Sequence, residues 1–190
     1  MKKTIAKLMA LVMVAGTILT GCGSEGGNDS SSSSSYAPAD AVTMLEEVWA
    51  AYGEDEKFFA MGGDYTTIVD GAPGKVDVSK AEDVDALLAV PADAAAMTDD
   101  AASLIHAMNA NTFTASAFHV TGDAEEFTSL VKDNIANRQW MCGFPEELTI
   151  STVGEYVVIA FGAADIMDVF VGHLQEVTGA ELVVEEPLAQ

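Results

Sequence analysis

The chain has 190 residues, 30 of them Asp or Glu and 8 of them Lys or Arg, for a net charge of −22. Lys2, Lys3 and Lys7 lie at the very start, so from Cys22 onward 5 basic side chains face 30 acidic ones, a net of −25. This balance excludes a phosphate-tracking nucleic-acid surface, which needs clustered Lys and Arg. It also disfavours electrostatic adsorption to anionic lipid.

The first segment reads as an export signal. The three lysines form a basic n-region, and Leu8 to Leu19 is an uncharged apolar stretch. That stretch is too short for the about 20 apolar residues that a membrane span requires, but long enough for a signal h-region. Leu19-Thr20-Gly21-Cys22 then resembles the lipobox of bacterial lipoproteins. The resemblance implies cleavage after residue 21 and acylation of Cys22, which becomes the mature N-terminus. Two or more acyl chains give stable attachment, since each buried methylene contributes about 0.8 kcal/mol. The expected partner of Cys22 is therefore membrane lipid. The expected location is the extracytoplasmic face of the cell membrane.

Residues 22–35 are Cys, Gly, Ser, Glu, Asn and Asp, with six serines from Ser30. Nothing there is available to bury against the entropy of ordering, so the segment reads as a flexible tether. Residues 36–190 then form one acidic domain, long enough for a single sizeable core. Its acids are dispersed rather than blocked, the pattern of a solvated surface.

Within the domain, Asp40 is placed to cap a helix over 41–52, whose apolar face carries Met44, Leu45, Val48 and Trp49. Tyr65 to Val69 reads as a short strand, and Val76 and Val78 as a second one pairing back to it. Ser79 and Glu82 have capping-box spacing for a helix to about Ala89, which Pro91 ends. Leu104, Ile105 and Met108 suggest a further helix over 99–108, capped by Thr98.

The pattern sharpens after residue 112. Thr112 to Val120 reads as a strand. Asp123 caps a helix with the stripe Phe127, Leu130, Val131, Ile135. Glu147 to Val153 alternates, and Gly154-Glu155 is a two-residue turn with Gly in the place that a type II′ hairpin requires. Tyr156 to Phe161 is a continuous apolar run, hence a buried central strand. A helix follows over 165–177 with Gly179 as its stop, then an edge strand or a frayed tail from Glu181 to Glu185. The order β-α-β-β-α predicts an α+β fold: a small antiparallel sheet with helices mainly on one face.

This C-terminal pattern resembles a group of Gram-positive-type lipoproteins that carry a domain without assigned activity. The resemblance spans roughly Asp93 to Leu174. It is carried by Ala115 to Val120, Asn137-Arg138-Gln139, Phe144-Pro145-Glu146 and Val153-Gly154-Glu155-Tyr156-Val157-Val158. It implies fold and location, and no catalytic residues come with it. Trp140-Met141-Cys142-Gly143 departs from the pattern in being apolar and small.

The residues that carry chemistry are few. His106, His119 and His173 show no i, i+4 metal spacing. Asp64 to Gly71 offers carboxylates for calcium, with Asp64 and Asp70 as ligands, but it is not an EF-hand loop. No nucleophile elbow or phosphate loop is present, so no metal site, cofactor or catalytic set is expected. A paired arrangement of His119, His173 and carboxylates is what an enzyme would need. Cys142 is left as a lone thiol, with Arg138 one helical turn upstream as its basic neighbour. Trp140, Met141 and Phe144 form an apolar cluster in a loop. Exposed, they are an interaction patch; buried, as most large apolar residues are, they cap the core.

The expectation is a lipid-anchored, extracytoplasmic, non-enzymatic interaction protein with an envelope protein as partner. The alternative is a small-ligand or cation-binding module accessory to transport.

Overall fold

The computed structural model describes residues 36–188. The expected signal peptide (1–21), the acylation site Cys22 and the tether (22–35) lie outside the described residues.

Helix α1 (Ala41–Ala51) begins at Asp40, whose carboxylate accepts from Thr43 N at 2.7 Å. Ala41 N, a second donor of the first turn, reaches Asp100 Oδ2 at 2.8 Å. Two carboxylates thus satisfy backbone groups that a helix start leaves unpaired. A ribbon of short strands follows: β1 (Ala60–Gly63), β2 (Ile68–Asp70) and β3 (Gly74–Lys75). Gly62 and Gly74 allow it to fold tightly. A Cβ on Gly62 would stand 2.2 Å from Gly74 N, and one on Gly74 would stand 2.5 Å from Gly63 N.

Helix α2 (Ala81–Leu88) ends in a left-handed Ala89, before the short α3 (Ala92–Ala95). The long strands come next: β4 (Thr98–His106) and β5 (Phe113–Val120). Helix α4 (Ala124–Ala136) is capped by Asp123, which accepts from Glu125 N and Glu126 N. The hairpin β6 (Glu147–Val153) and β7 (Tyr156–Gly162) turns at Gly154, where φ is +59° while Glu155 keeps a negative φ. Helix α5 (Ala164–Thr178) stops at left-handed Gly179, and β8 (Glu181–Pro187) closes the chain.

The strands form one eight-stranded antiparallel sheet in the order β2-β1-β4-β5-β7-β6-β8, with β3 also pairing to β4. The class is α+β with an antiparallel sheet, as the element pattern predicts. The helices, however, divide between the two faces rather than gathering mainly on one. α1 and α5 bury Met44, Leu45, Val48, Met167, Phe170 and Leu174 on the face presented by Leu104, Phe113, Ala115, Ala117, Val158 and Ala160. α2, α3 and α4 bury Val84, Leu88, Phe127, Val131 and Ile135 on the opposite face, with Ile105, Phe118, Leu148, Ile150, Val157, Ile159 and Phe161. The physical reason lies in the continuous apolar run of β7. Its odd and even residues point to opposite faces, so both faces need cover.

Three expectations change. Residues 98–106 form β4, not a helix. Leu104 and Ile105 serve opposite faces of the sheet, and partners on both sides override a helix-like spacing. Ser79 donates to Asp77 Oδ1 instead of capping α2, which starts after Lys80 without a side-chain cap. The residues after the Asp70–Gly74 turn pair with β4 through Gly74↔Ser103 and Lys75↔Ala102, and not with β2.

Candidate functional site

The register places Phe113, Gly162, Glu147 and Pro187 at one end of the sheet, and His119, Tyr156, Val153 and Glu181 at the other. Six residues of strand separate the ends, about 20 Å.

At the first end, two loops meet. The β4–β5 turn, 107–112, supplies Asn109 and Asn111. Asn109 Nδ2 donates to Cys142 O at 3.2 Å, and Asn111 Nδ2 donates to Met141 O at 2.6 Å and Gly143 O at 2.9 Å. Two amides therefore hold three successive carbonyls of the α4–β6 loop. The constraint is visible in the backbone, where Cys142 sits at φ +67°. That left-handed conformation costs a residue with a Cβ about 1–2 kcal/mol.

The held loop presents its apolar side chains outward. Met141 is 78% exposed, Phe144 51% and Met108 77%. Phe59, at 65% exposure, joins them because Ala107 N donates to Phe59 O at 2.8 Å. Of the three residues expected as one cluster, Met141 and Phe144 are on the surface. Trp140 is half-buried, 5.1 Å from the Phe161 ring, with the Arg138 guanidinium 5.7 Å over its own ring. Burial thus describes Trp140 alone. It walls a cavity of about 230 Å³ together with Leu87, Ala110, Met141 and Phe161. Arg138 is engaged with Asp85 at 2.9 Å. Cys142 is exposed and forms no disulfide among the described residues.

The two loops differ in charge from the rest of the chain, although Glu146 and Glu147 follow directly, leading into β6. Ala107 to Thr112 and Gln139 to Pro145 contain no charged residue, in a sequence with 30 acids. The sequence reading singled out one of these loops. Met108, assigned there to a helix face, and Asn109 and Asn111 do not show as part of this end because residues 99–108 read as helix. Phe59 does not because only the Ala107 N to Phe59 O bond brings it to this end. The signal that was present is Asn109-x-Asn111, a turn-forming pair.

At the other end, a groove of about 780 Å³ lies between Tyr36–Pro38, the β6–β7 turn, His119 and the end of α5. His119 Nδ1 is 2.6 Å from Asp99 Oδ1, and its Nε2 is 3.7 Å from Glu155 Oε2. The Asp99 hydrogen bond, with Glu155 adding to it, raises the imidazole pKa. The Tyr156 phenol is also raised, first by burial and then by Asp100, Asp40, Asp99 and Glu155.

His173 is elsewhere, with Nε2 3.0 Å from Glu56 Oε2 and its ring 4.7 Å from that of Tyr52. His106 stacks on Phe58 at 5.5 Å. The three histidines thus have separate surroundings, and the two His–carboxylate pairs do not share a site.

The calcium candidates do not converge. Asp64 is buried, and its carboxylate accepts from Thr66 N, Thr66 Oγ1, Thr67 N and Asp77 N. Those bonds hold its pKa down at about 2. Asp70 is exposed opposite Met61, at the other end of the β1–β2 ribbon. Among the described residues, no three His, Cys, Asp or Glu are arranged to hold a metal ion. Likewise, no helix among them is long and apolar enough to cross a membrane. No family model, curated protein or solved structure matches the chain.

Proposed function

We propose that the chain is a lipid-anchored extracytoplasmic protein whose two charge-free loops, 107–112 and 139–145, dock an envelope protein. The observation that carries this reading is the coincidence of exposed Met108, Met141, Phe144 and Phe59 with two charge-free loops. Docking surfaces are depleted of charge at their centre and enriched in Met and aromatic residues. A large apolar side chain in water also forgoes burial worth about 1.5–3 kcal/mol, which a partner would recover.

The anchor fits the same geometry. Tyr36, where the expected tether joins, lines the groove at the opposite end. A tether of roughly thirteen residues spans about 20 Å. The two apolar loops lie at the end of the sheet opposite Tyr36. Their distance from the tether's point of attachment supports a protein partner rather than lipid for the apolar side chains.

Sedimentation of detergent-solubilised membranes tests this. The wild-type chain is expected in an assembly larger than a single chain in its micelle. Met108→Ser/Met141→Ser/Phe144→Ser is expected to sediment as the single chain. Its folding stability should stay close to wild type, because each change is at an exposed site. Identical sedimentation of the two proteins, at either size, would contradict the reading.

A further inference from the structure

The groove at the tether end is not used by the docking face, and its walls carry a consistent chemistry. Three sources of negative potential open into it. Glu155 and Glu181 line it from the β6–β7 turn and the start of β8. The last turn of α5 ends there at Thr178 and Gly179, with no basic residue to offset its carbonyls. A helix C-terminus carries about half a negative charge and favours cations. Asp99 stands behind His119 and is matched to it. Among the described residues, His119 is the only basic side chain lining the groove, and it faces two carboxylates, Asp99 at 2.6 Å and Glu155 at 3.7 Å, which leaves the lining acidic.

The remaining wall is aromatic and apolar: Tyr36, Tyr156, Pro38 and Val153. Tyr36 is fixed by donating its hydroxyl to Glu47. The Tyr156 and His119 rings lie 5.1 Å apart. An aromatic face beside carboxylates suits a cation that has a hydrocarbon body, because the ring attracts the charge while the stem is desolvated.

We propose that this groove binds an organic ammonium ion, an alkylamine or a lysine side chain. Its charge lies against Glu155, Glu181 and the end of α5, and its hydrocarbon lies against Tyr36 and Tyr156. A bare metal ion fits less well. It needs oxygen ligands converging on one point, and the described residues hold no such cluster. An anion meets the wrong field. At about 780 Å³, the groove lies in the range of small-ligand sites.

The inference is independent of the docking face, and it is tested by titration calorimetry on the full chain in detergent. Cadaverine and Nα-acetyl-lysine methylamide are the two probes, one a free diamine and one a lysine side chain within a peptide unit. The neutral control is 1,5-pentanediol. Saturable one-to-one binding of either amine, absent for the diol, is the expected result, and the tighter arm names the source. Glu155→Gln/Glu181→Gln should weaken binding about fivefold, as loss of two solvent-facing carboxylates implies. Glu54→Gln/Asp55→Asn, in the turn after α1, should leave it unchanged. No saturation by about 10 mM, equal loss in both double variants, or no loss in Glu155→Gln/Glu181→Gln would overturn the proposal. Calcium chloride that saturates the groove and excludes cadaverine would also overturn it.

Discussion

Asp64 shows how a carboxylate that looks like a ligand from the sequence becomes part of the scaffold. It is 6% exposed and accepts four hydrogen bonds, with Lys80 Nζ at 3.8 Å. Its folded pKa of about 2 lies below the ordinary 3.8. The native state therefore binds this proton less readily than the unfolded chain does. The resulting stability, on the order of 2 kcal/mol, is full above pH about 4 and lost as pH falls through about 2. Urea melts of Asp64→Ala should show the deficit at pH 6, and the gap to wild type should narrow toward pH 2. A pH-independent gap would refute this assignment. His119 has the opposite sign. Its pKa is raised by Asp99, so its contribution is complete below the ordinary imidazole pKa and is lost as pH rises through the raised value. Melting of His119→Gln against wild type should show a larger difference at pH 6 than at pH 9.

At the scale of elements, the caps and the glycine crossing make the sharpest predictions. Asp40→Ala and Asp123→Ala should each cost about 0.5–2 kcal/mol, the range for losing an N-cap, read by denaturant midpoint. Gly62→Ala should cost more than either, because the new Cβ would meet the backbone of residues 72–74 within 2.2–2.6 Å, and neither strand can yield without breaking pairing. A midpoint unchanged by Gly62→Ala would show the ribbon to be looser than described.

The same elements explain what the sequence could tell. The caps at Asp40 and Asp123, the Gly154 turn and the Gly179 stop were legible because each is local chemistry. β4 was not legible. Its Ala101, Ala102 and Ser103 are small, and Leu104 and Ile105 are adjacent, so only the pairing with β5 and β1 separates strand from helix. β1, with two glycines among its four residues, exists through its neighbours. The apolar loop at Trp140 was visible in composition. Its exposure was not, since that depends on Asn109 and Asn111 reaching it across some 30 residues of chain.

The molecule as a whole is a two-faced antiparallel sheet with its functional candidates at the two strand ends. Buried Val153 and Thr178 back the groove and buried Phe161 backs Trp140, so the exposed side chains of each end are the ones open to change without unfolding the domain. The proposed anchor makes a separate prediction: Cys22→Ala should move the protein from the membrane to the soluble fraction, and unchanged membrane association would remove the lipid-anchor reading. Site-specific photocrosslinking on intact cells tests docking at the charge-free loops. A photoreactive phenylalanine at position 141 is compared with one at Glu46, which is exposed on α1. Docking predicts one discrete adduct from position 141, lost when Met108→Ser and Phe144→Ser are added, and none from position 46. No adduct from position 141, or the same ladder from both positions, would contradict it.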